Sequence, residues 1–158
     1  MFQVGDKIVH PMHGAGVVDS VVAKKVNGIV REYYIMKLPV GGMLVMIPTE
    51  NCEEIGVRAV IAPEEADRII GAIPGLDTDM TSNWNQRYRE NMLRLKSGNL
   101  LEVAYVVKGL SRKDGSRGLS TSERKMLHSA RQILISELVL SHNCSYEEME
   151  CRVNTALL

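Results

Sequence analysis

The stretch GVVDSVVAKKVNGIVREYYIMKL, residues 16–38, decides how the first third of the chain folds. Two β-branched runs of strand length flank Asn27-Gly28. A two-residue type I′ turn needs positive φ at both central positions, which Asn and Gly tolerate best, so the runs pair as an antiparallel hairpin. Upstream, VGDKIVH (4–10) is another strand, followed by the turn PMHGAG; downstream, Gly41-Gly42 after Pro39 marks a tight turn before MLVMIP (43–48). Four or five short strands with so few residues to bury are best closed into a small barrel, which also removes exposed edges. The expectation is a compact antiparallel β-barrel ending near Glu54, with residues 1–55 as the first domain.

The pattern changes after Gly56, and everything beyond it reads as helix. Pro63 with Glu64 and Glu65 suits a first helical turn, and Ala66, Ile69, Ile70 and Ile73 follow at helical spacing until Pro74-Gly75. The polar stretch LDTDMTSN reads as a linker. Ser82 is a candidate N-cap for a helix carrying Trp84, Tyr88, Met92 and Leu95 on roughly one face, ended by Ser97-Gly98. Asn99, with Glu102 three residues on, opens the apolar helix LLEVAYVVKGL; SRKDGSRG reads as a basic loop after it. Ser120 with Glu123 and Ser145 with Glu148 are capping boxes for two further helices. The fold class is α+β, segregated: a small β-barrel, then an all-α bundle over residues 56–158.

Composition narrows the function. The 158 residues carry 19 Lys plus Arg against 19 Asp plus Glu, and no window approaches the roughly 20 apolar residues of a membrane span. The N-terminus has no apolar signal core, because Gly5, Asp6 and Lys7 interrupt it, so a cytoplasmic, reduced protein is expected. Cys52, Cys144 and Cys151 form no CxxC pair. His10 and His13 lie in a turn without a third and fourth metal ligand close in sequence, and the GxG at Gly14 leads into a strand and not a helix. The paired carboxylates sit at element ends, where they complement helix dipoles, and no serine or cysteine stands in a nucleophile elbow. No catalytic residue, metal or cofactor is indicated, and the reading is of a protein that is not an enzyme.

Charge is distributed unevenly. Residues 81–131 hold eleven basic side chains and four acidic ones, whereas residues 53–80 hold two basic and seven acidic. A segment of that kind holds a polyanion by counterion release even in a neutral protein. Within it stands Trp84, the single tryptophan, in SNWNQRYRENMLR. A lone Trp packs well between helices. Yet Asn83, Asn85, Gln86, Arg87 and Arg89 surround it with phosphate- and base-contacting groups, while Tyr88 and Met92 supply an inward face. An indole at an exposed helix start can stack on a splayed base or wedge into a base step.

Five blocks then carry a resemblance over essentially the whole chain: VGDKIVHPMHGAGVV, the strand around EYYIMKL, MIPTENCEEIGVR, NWNQRYRENMLRLKSGN and RGLSTSERKMLHSARQILISEL. With these the sequence resembles the CarD family of bacterial transcription regulators. The resemblance implies a Tudor-like barrel that docks on the β subunit of RNA polymerase, and a helical domain that touches promoter DNA at the upstream edge of the transcription bubble. It implies Trp84 as the wedge, flanked by Asn83, with Arg87, Arg89 and Arg124 on the DNA backbone. On the polymerase side it implies Lys24 and a second basic position, which here is Met46; Lys25 and Tyr33 are candidates to compensate. Arginine contacts to phosphates of this kind give weak, largely non-specific DNA binding, and a monomer that reaches the nucleoid through polymerase is expected. The rival reading is a β-barrel adaptor for RNA or a protein partner without promoter action. A methyl-lysine cage is poorly served, since the barrel offers only Phe2, Tyr33 and Tyr34, and adjacent tyrosines on a strand point to opposite faces.

Overall fold

The computed structural model describes residues 1–158. Strands β1 (Lys7–His10), β2 (Gly14–Val26), β3 (Ile29–Lys37), β4 (Leu44–Pro48) and β5 (Arg58–Ala59) form one antiparallel sheet in the order β4-β3-β2-β1-β5. Helices follow: α1 (Cys52–Ile55, between β4 and β5), α2 (Pro63–Ala72), α3 (Trp84–Lys96), α4 (Leu100–Ser116), α5 (Thr121–His142) and α6 (Tyr146–Leu157). The hairpin turn is as the sequence requires. Asn27 and Gly28 take φ of 51° and 80°, and Val26 faces Ile29 across the turn.

The sheet is open, which corrects the expectation of a closed barrel. β4 and β5 are its edges, and β5, two residues long, arises from the segment read as wholly helical. A bulge at Asp19 shifts the β2–β3 register between Val18 and Ser20. Bulges bend a strand and raise its twist, and beyond this one the outer half of the hairpin leaves the core: residues 23–32 are all exposed. The sheet core holds eight buried apolar residues, including Ile8, Val18, Tyr34, Met36 and Ile47, against twenty-one in the helical core. So small a core gains by leaning on a neighbour. Instead of closing on itself, the sheet is covered at its β1–β5 side by the helical domain.

That junction is polar and fully satisfied. Glu137 of α5 is 0% exposed, and its carboxylate accepts from both terminal nitrogens of Arg58 on β5, at 2.6 and 2.8 Å, and from the Ile61 amide at 3.0 Å. Arg58 Nε donates to the Gly98 carbonyl at 2.9 Å. On the adjacent residue, Ser136 Oγ accepts from the Ala15 amide at 2.9 Å; a Cβ on Gly14 would stand 2.6 Å from that same oxygen and 3.2 Å from Ile133 Cα, so the approach of β2 to α5 needs glycine there. Lys7 Nζ donates to the Leu140 carbonyl, and Ser141 Oγ to that of Ile61. Sheet and helices therefore meet through ordered, directional bonds.

The helical caps follow the sequence closely. Ser120, Ser145 and Asn99 accept from the amides of Glu123, Glu148 and Leu101. Two expectations shift. The cap of α3 is Asn83, whose side chain accepts from the Gln86 amide, and not Ser82. SRKDGSRG is not a loop, because α4 continues through Ser116. Lys108, 1% exposed, spans to three carbonyls of the turn after α2, those of Ile73, Pro74 and Leu76, at 2.7–2.9 Å. Burial lowers its pKa below the usual lysine value, with the nearby Arg112 acting in the same direction.

Removing Arg58 would leave Glu137 buried and unpaired. Arg58→Ala should lower unfolding free energy by about 3 kcal/mol, with Arg58→Lys intermediate because a lysine cannot restore the two-pronged contact; urea denaturation of the full chain measures both.

Candidate nucleic-acid interface

Trp84 is the first residue of α3 and is 41% exposed, so it is not a core anchor. Two contacts hold the indole. Its ring stacks on Tyr88, one turn along, with centroids 5.1 Å apart and planes 20° from parallel, and Nε1 donates to Ser120 Oγ at 3.1 Å. Ser120 is itself the cap of α5, so the starts of α3 and α5 converge on the indole. Helix starts carry partial positive charge from unsatisfied amides, which suits an anionic neighbour.

Arg87 departs from its expected role. It is 7% exposed, and its guanidinium is consumed internally: Nε and one terminal nitrogen donate to the Glu123 carboxylate at 2.7 and 3.0 Å, and the other donates to the Ser82 carbonyl at 2.8 Å. The hydrogen bonds it donates to Glu123 outweigh burial and push its pKa further above the normal range. Bound by the Glu123 carboxylate and the Ser82 carbonyl, Arg87 is a structural clamp joining α3 to α5. The same pair explains the cap of α5. The Glu123 amide bonds Ser120 as in a capping box, but its carboxylate turns to Arg87 and does not return to the cap residue. The buried positions of α3 are accordingly Arg87, Asn91 and Leu95, whereas Tyr88 and Met92 are half-buried beside Trp84.

The other expected contacts remain on the surface. Arg89 and Arg124 are exposed and have no acidic partner, and Asn83 is exposed although its carbonyl oxygen is used as the cap. Sequence reading missed three more residues. A groove of about 740 Å³ runs between the start of α3 and the last turns of α4, with Trp84, Asn83 and Thr81 on one side and Arg112, Lys113 and Arg117 on the other; no carboxylate lines it. These three were visible as charges in SRKDGSR, but a loop reading gave them no address. Arg112 and Lys113 lie in the last turns of α4 and Arg117 is its C-terminal cap, and all three line the groove with the indole. The strap 77–82 that floors this region is pinned: Met80 fits against Gly109, where any Cβ would lie 2.0 Å from the Met80 methyl, and the Asp79 amide donates to Tyr105 Oη. Hydrogen bonds from the Thr81 hydroxyl and amide hold the Asp79 carboxyl below its usual pKa.

On the sheet, register assigns faces. Lys24 pairs with Arg31, Tyr33 with Val22 and Pro48, and Met46 with Ile35, which places Lys24, Tyr33 and Met46 on one face, opposite buried Tyr34 and Met36. Lys25 lies on the other face. The shared face also carries exposed Val26, Ile29 and Leu44. Met46 lies on edge strand β4, whose outer backbone groups are unpaired in the sheet. His10 serves its own turn: Nδ1 accepts from the Met12 amide at 3.1 Å, and burial, then the neighbouring His13, hold its pKa below the ordinary imidazole value.

A small sheet rigidly joined to a helical module that displays an aromatic ridge among unpaired cations defines a two-module binding protein. The chain belongs to the CarD family. Residues 2–61 match the CarD-like/TRCF RID domain, and residues 68–154 match the CarD C-terminal domain. It is also 37% identical over 138 residues, 87% of this chain and 90% of the other, to a Bacillus subtilis (strain 168) protein described as "Putative transcription factor YdeB". Its functional class is thereby transcription regulation, and the family is one of transcription factors. No helix is long and apolar enough to cross a membrane.

Stability separates the two residues at the ridge. Arg87→Ala strands Glu123 in the interior and should cost about 3–5 kcal/mol, whereas Trp84→Ala loses one stacked pair and one exposed hydrogen bond, about 1–2 kcal/mol. Thermal melting of the two variants checks the order.

Proposed function

We propose that this chain docks through its sheet on the β subunit of RNA polymerase and stabilises the promoter open complex by contacting DNA at the upstream edge of the bubble. The observation that carries the reading is Trp84: an exposed indole, fixed by Tyr88 and Ser120, beside a groove lined by cations and no carboxylate. Residues 1–55, with Lys24, Tyr33 and Met46 on one face, supply the polymerase contact; residues 56–158 supply the DNA contact, through Asn83, Trp84, Arg89 and Arg124 together with Arg112, Lys113 and Arg117. Lys25, on the opposite face, contributes charge to the hairpin tip and not to that surface. The protein acts as a monomer in the cytoplasm, held at the nucleoid by polymerase.

The energetics suit an adaptor. Anchoring on polymerase presents the indole at high effective concentration, so weak intrinsic DNA affinity is sufficient. Stacking on one base is worth about 1–3 kcal/mol, which slows bubble collapse roughly 5- to 150-fold if the contact exists only in the open complex. A contact equally good on closed duplex shifts nothing.

Two measurements test this. Trp84→Ala should shorten open-complex half-life by at least about 5-fold while co-purification with core polymerase is unchanged; an unaltered half-life contradicts the reading. In DNA binding by the full chain, removing any one of Arg89, Arg112, Arg117 or Arg124 should reduce the log–log salt slope by about one unit. Tight, salt-insensitive binding would require base readout instead.

A further inference from the structure

Trp84 separates two grooves of different chemistry. On one side lies the cationic groove toward α4. On the other, along the outer surface of α3, lies a second groove of about 520 Å³ whose walls are Trp84, Tyr88, Met92 and Leu93 and whose rim is Asn85, Arg89 and Lys96. Leu93 is 64% exposed, an unusual position for a leucine in a helix whose own buried face is Arg87, Asn91 and Leu95. The stacked Trp84–Tyr88 pair lines this side, and neither Arg89 nor Lys96 has an acidic partner. Glu90, the acid nearest in sequence, is turned aside by Gln86, whose amide donates to it at 3.0 Å.

We propose that this second groove is a nucleobase subsite, which takes one unpaired base of melted DNA against Tyr88, Met92 and Leu93 while Arg89 and Lys96 face its phosphates. The proposal rests on the DNA reading above and specifies its ligand. Charge complementarity selects the occupant. An apolar wall built on an aromatic pair, rimmed by two unpaired cations and lacking carboxylates, fits a flat base attached to an anionic backbone. A hydrated ion leaves those walls without a partner, a neutral sugar leaves the two cations without one, and an acidic peptide uses the cations but gains nothing from a parallel aromatic pair.

The subsite supplies what the mechanism requires, a contact that closed duplex cannot make. In intact duplex every base is stacked and paired, and only a base already released can enter a groove beside the indole. The cationic groove binds both forms through their phosphates and so contributes affinity without selectivity; the apolar groove contributes selectivity.

The test uses the full chain and two dye-labelled DNAs of one sequence, a matched duplex and the same duplex carrying a short mismatched bubble, with anisotropy at low salt. The wild-type chain should prefer the bubble by about 10-fold. Leu93→Gln, at an exposed position, should cut that preference several-fold and leave duplex affinity within about 2-fold, and Tyr88→Leu, which also removes the ring on which Trp84 stacks, should cut the preference at least as far. Arg112→Ala should weaken both DNAs equally. Equal wild-type binding to bubble and duplex overturns the subsite, and the polymerase-dependent open-complex assay with Trp84→Ala then decides the DNA reading separately. Binding to neither DNA overturns the DNA reading and the subsite with it. If Leu93→Gln instead abolishes a concentration-dependent dimer seen by sedimentation, or the bubble preference survives both variants, the groove belongs to another occupant and the proposal falls.

Discussion

Helix α5 carries two carboxylates that are withdrawn from water, Glu123 and Glu137, and each is neutralised by an arginine brought from another element in a two-pronged contact. The attachment of the sheet and the start of α3 each pass through one of these pairs. Glu137 with Arg58 fastens the sheet, and Glu123 with Arg87 fastens the start of α3 and, through the Ser120 cap, the indole. The two lie fourteen residues apart on one continuous helix, or about 21 Å along its axis. Buried ion pairs add little net stability over apolar packing, but they tolerate one geometry only. Such pairs suit a protein whose task is to hold two surfaces at a set separation.

The same pairs sort the basic residues by role. Of eleven cations between residues 81 and 131, Arg87, Arg94, Lys108 and Arg131 are spent on internal partners: Glu123, Glu102 with the Tyr105 ring, three carbonyls, and Glu150 with Asn154. The remaining seven, Arg89, Lys96, Arg112, Lys113, Arg117, Arg124 and Lys125, have no acidic partner. Neutral net charge thus conceals a division in which carboxylates and backbone carbonyls of the helical domain engage four of these cations and leave the other seven without an acidic partner. On the proposed function, these unpaired cations supply weak, non-specific attraction for DNA, and specificity comes from attachment of the sheet to polymerase and from the aromatic ridge.

Local chemistry made much of this legible before any coordinates. Asn27-Gly28 dictates its turn through φ alone, and Ser120, Ser145 and Asn99 declare helix starts because their oxygens have an amide within three residues to accept from. What stayed hidden depends on contacts distant in sequence. β5 is two residues long and exists because β1 has an open edge. Arg87 reads as a surface charge until Glu123, thirty-six residues on, is placed beside it. The basic stretch after Leu110 reads as a loop because its glycine and polar content discourage helix, yet α4 already runs through Gly109, which lets Met80 seat against it. Barrel closure was inferred from edge avoidance alone, and the helical domain covers that edge instead. Trp84 was legible as a candidate from composition; the grooves on its two sides were not, since each is assembled from residues on different turns or helices.

In the proposed function, the junction between sheet and helices delivers Trp84 to one place on promoter DNA. Replacing Trp84 with the photoreactive aromatic p-benzoylphenylalanine and irradiating the chain bound to polymerase on an end-labelled promoter reads that place directly. The account predicts a crosslink confined to one or two nucleotides at the upstream edge of the bubble, present only with polymerase and lost when Lys24→Glu weakens docking. Crosslinks scattered along the duplex, or falling on polymerase itself, would contradict it.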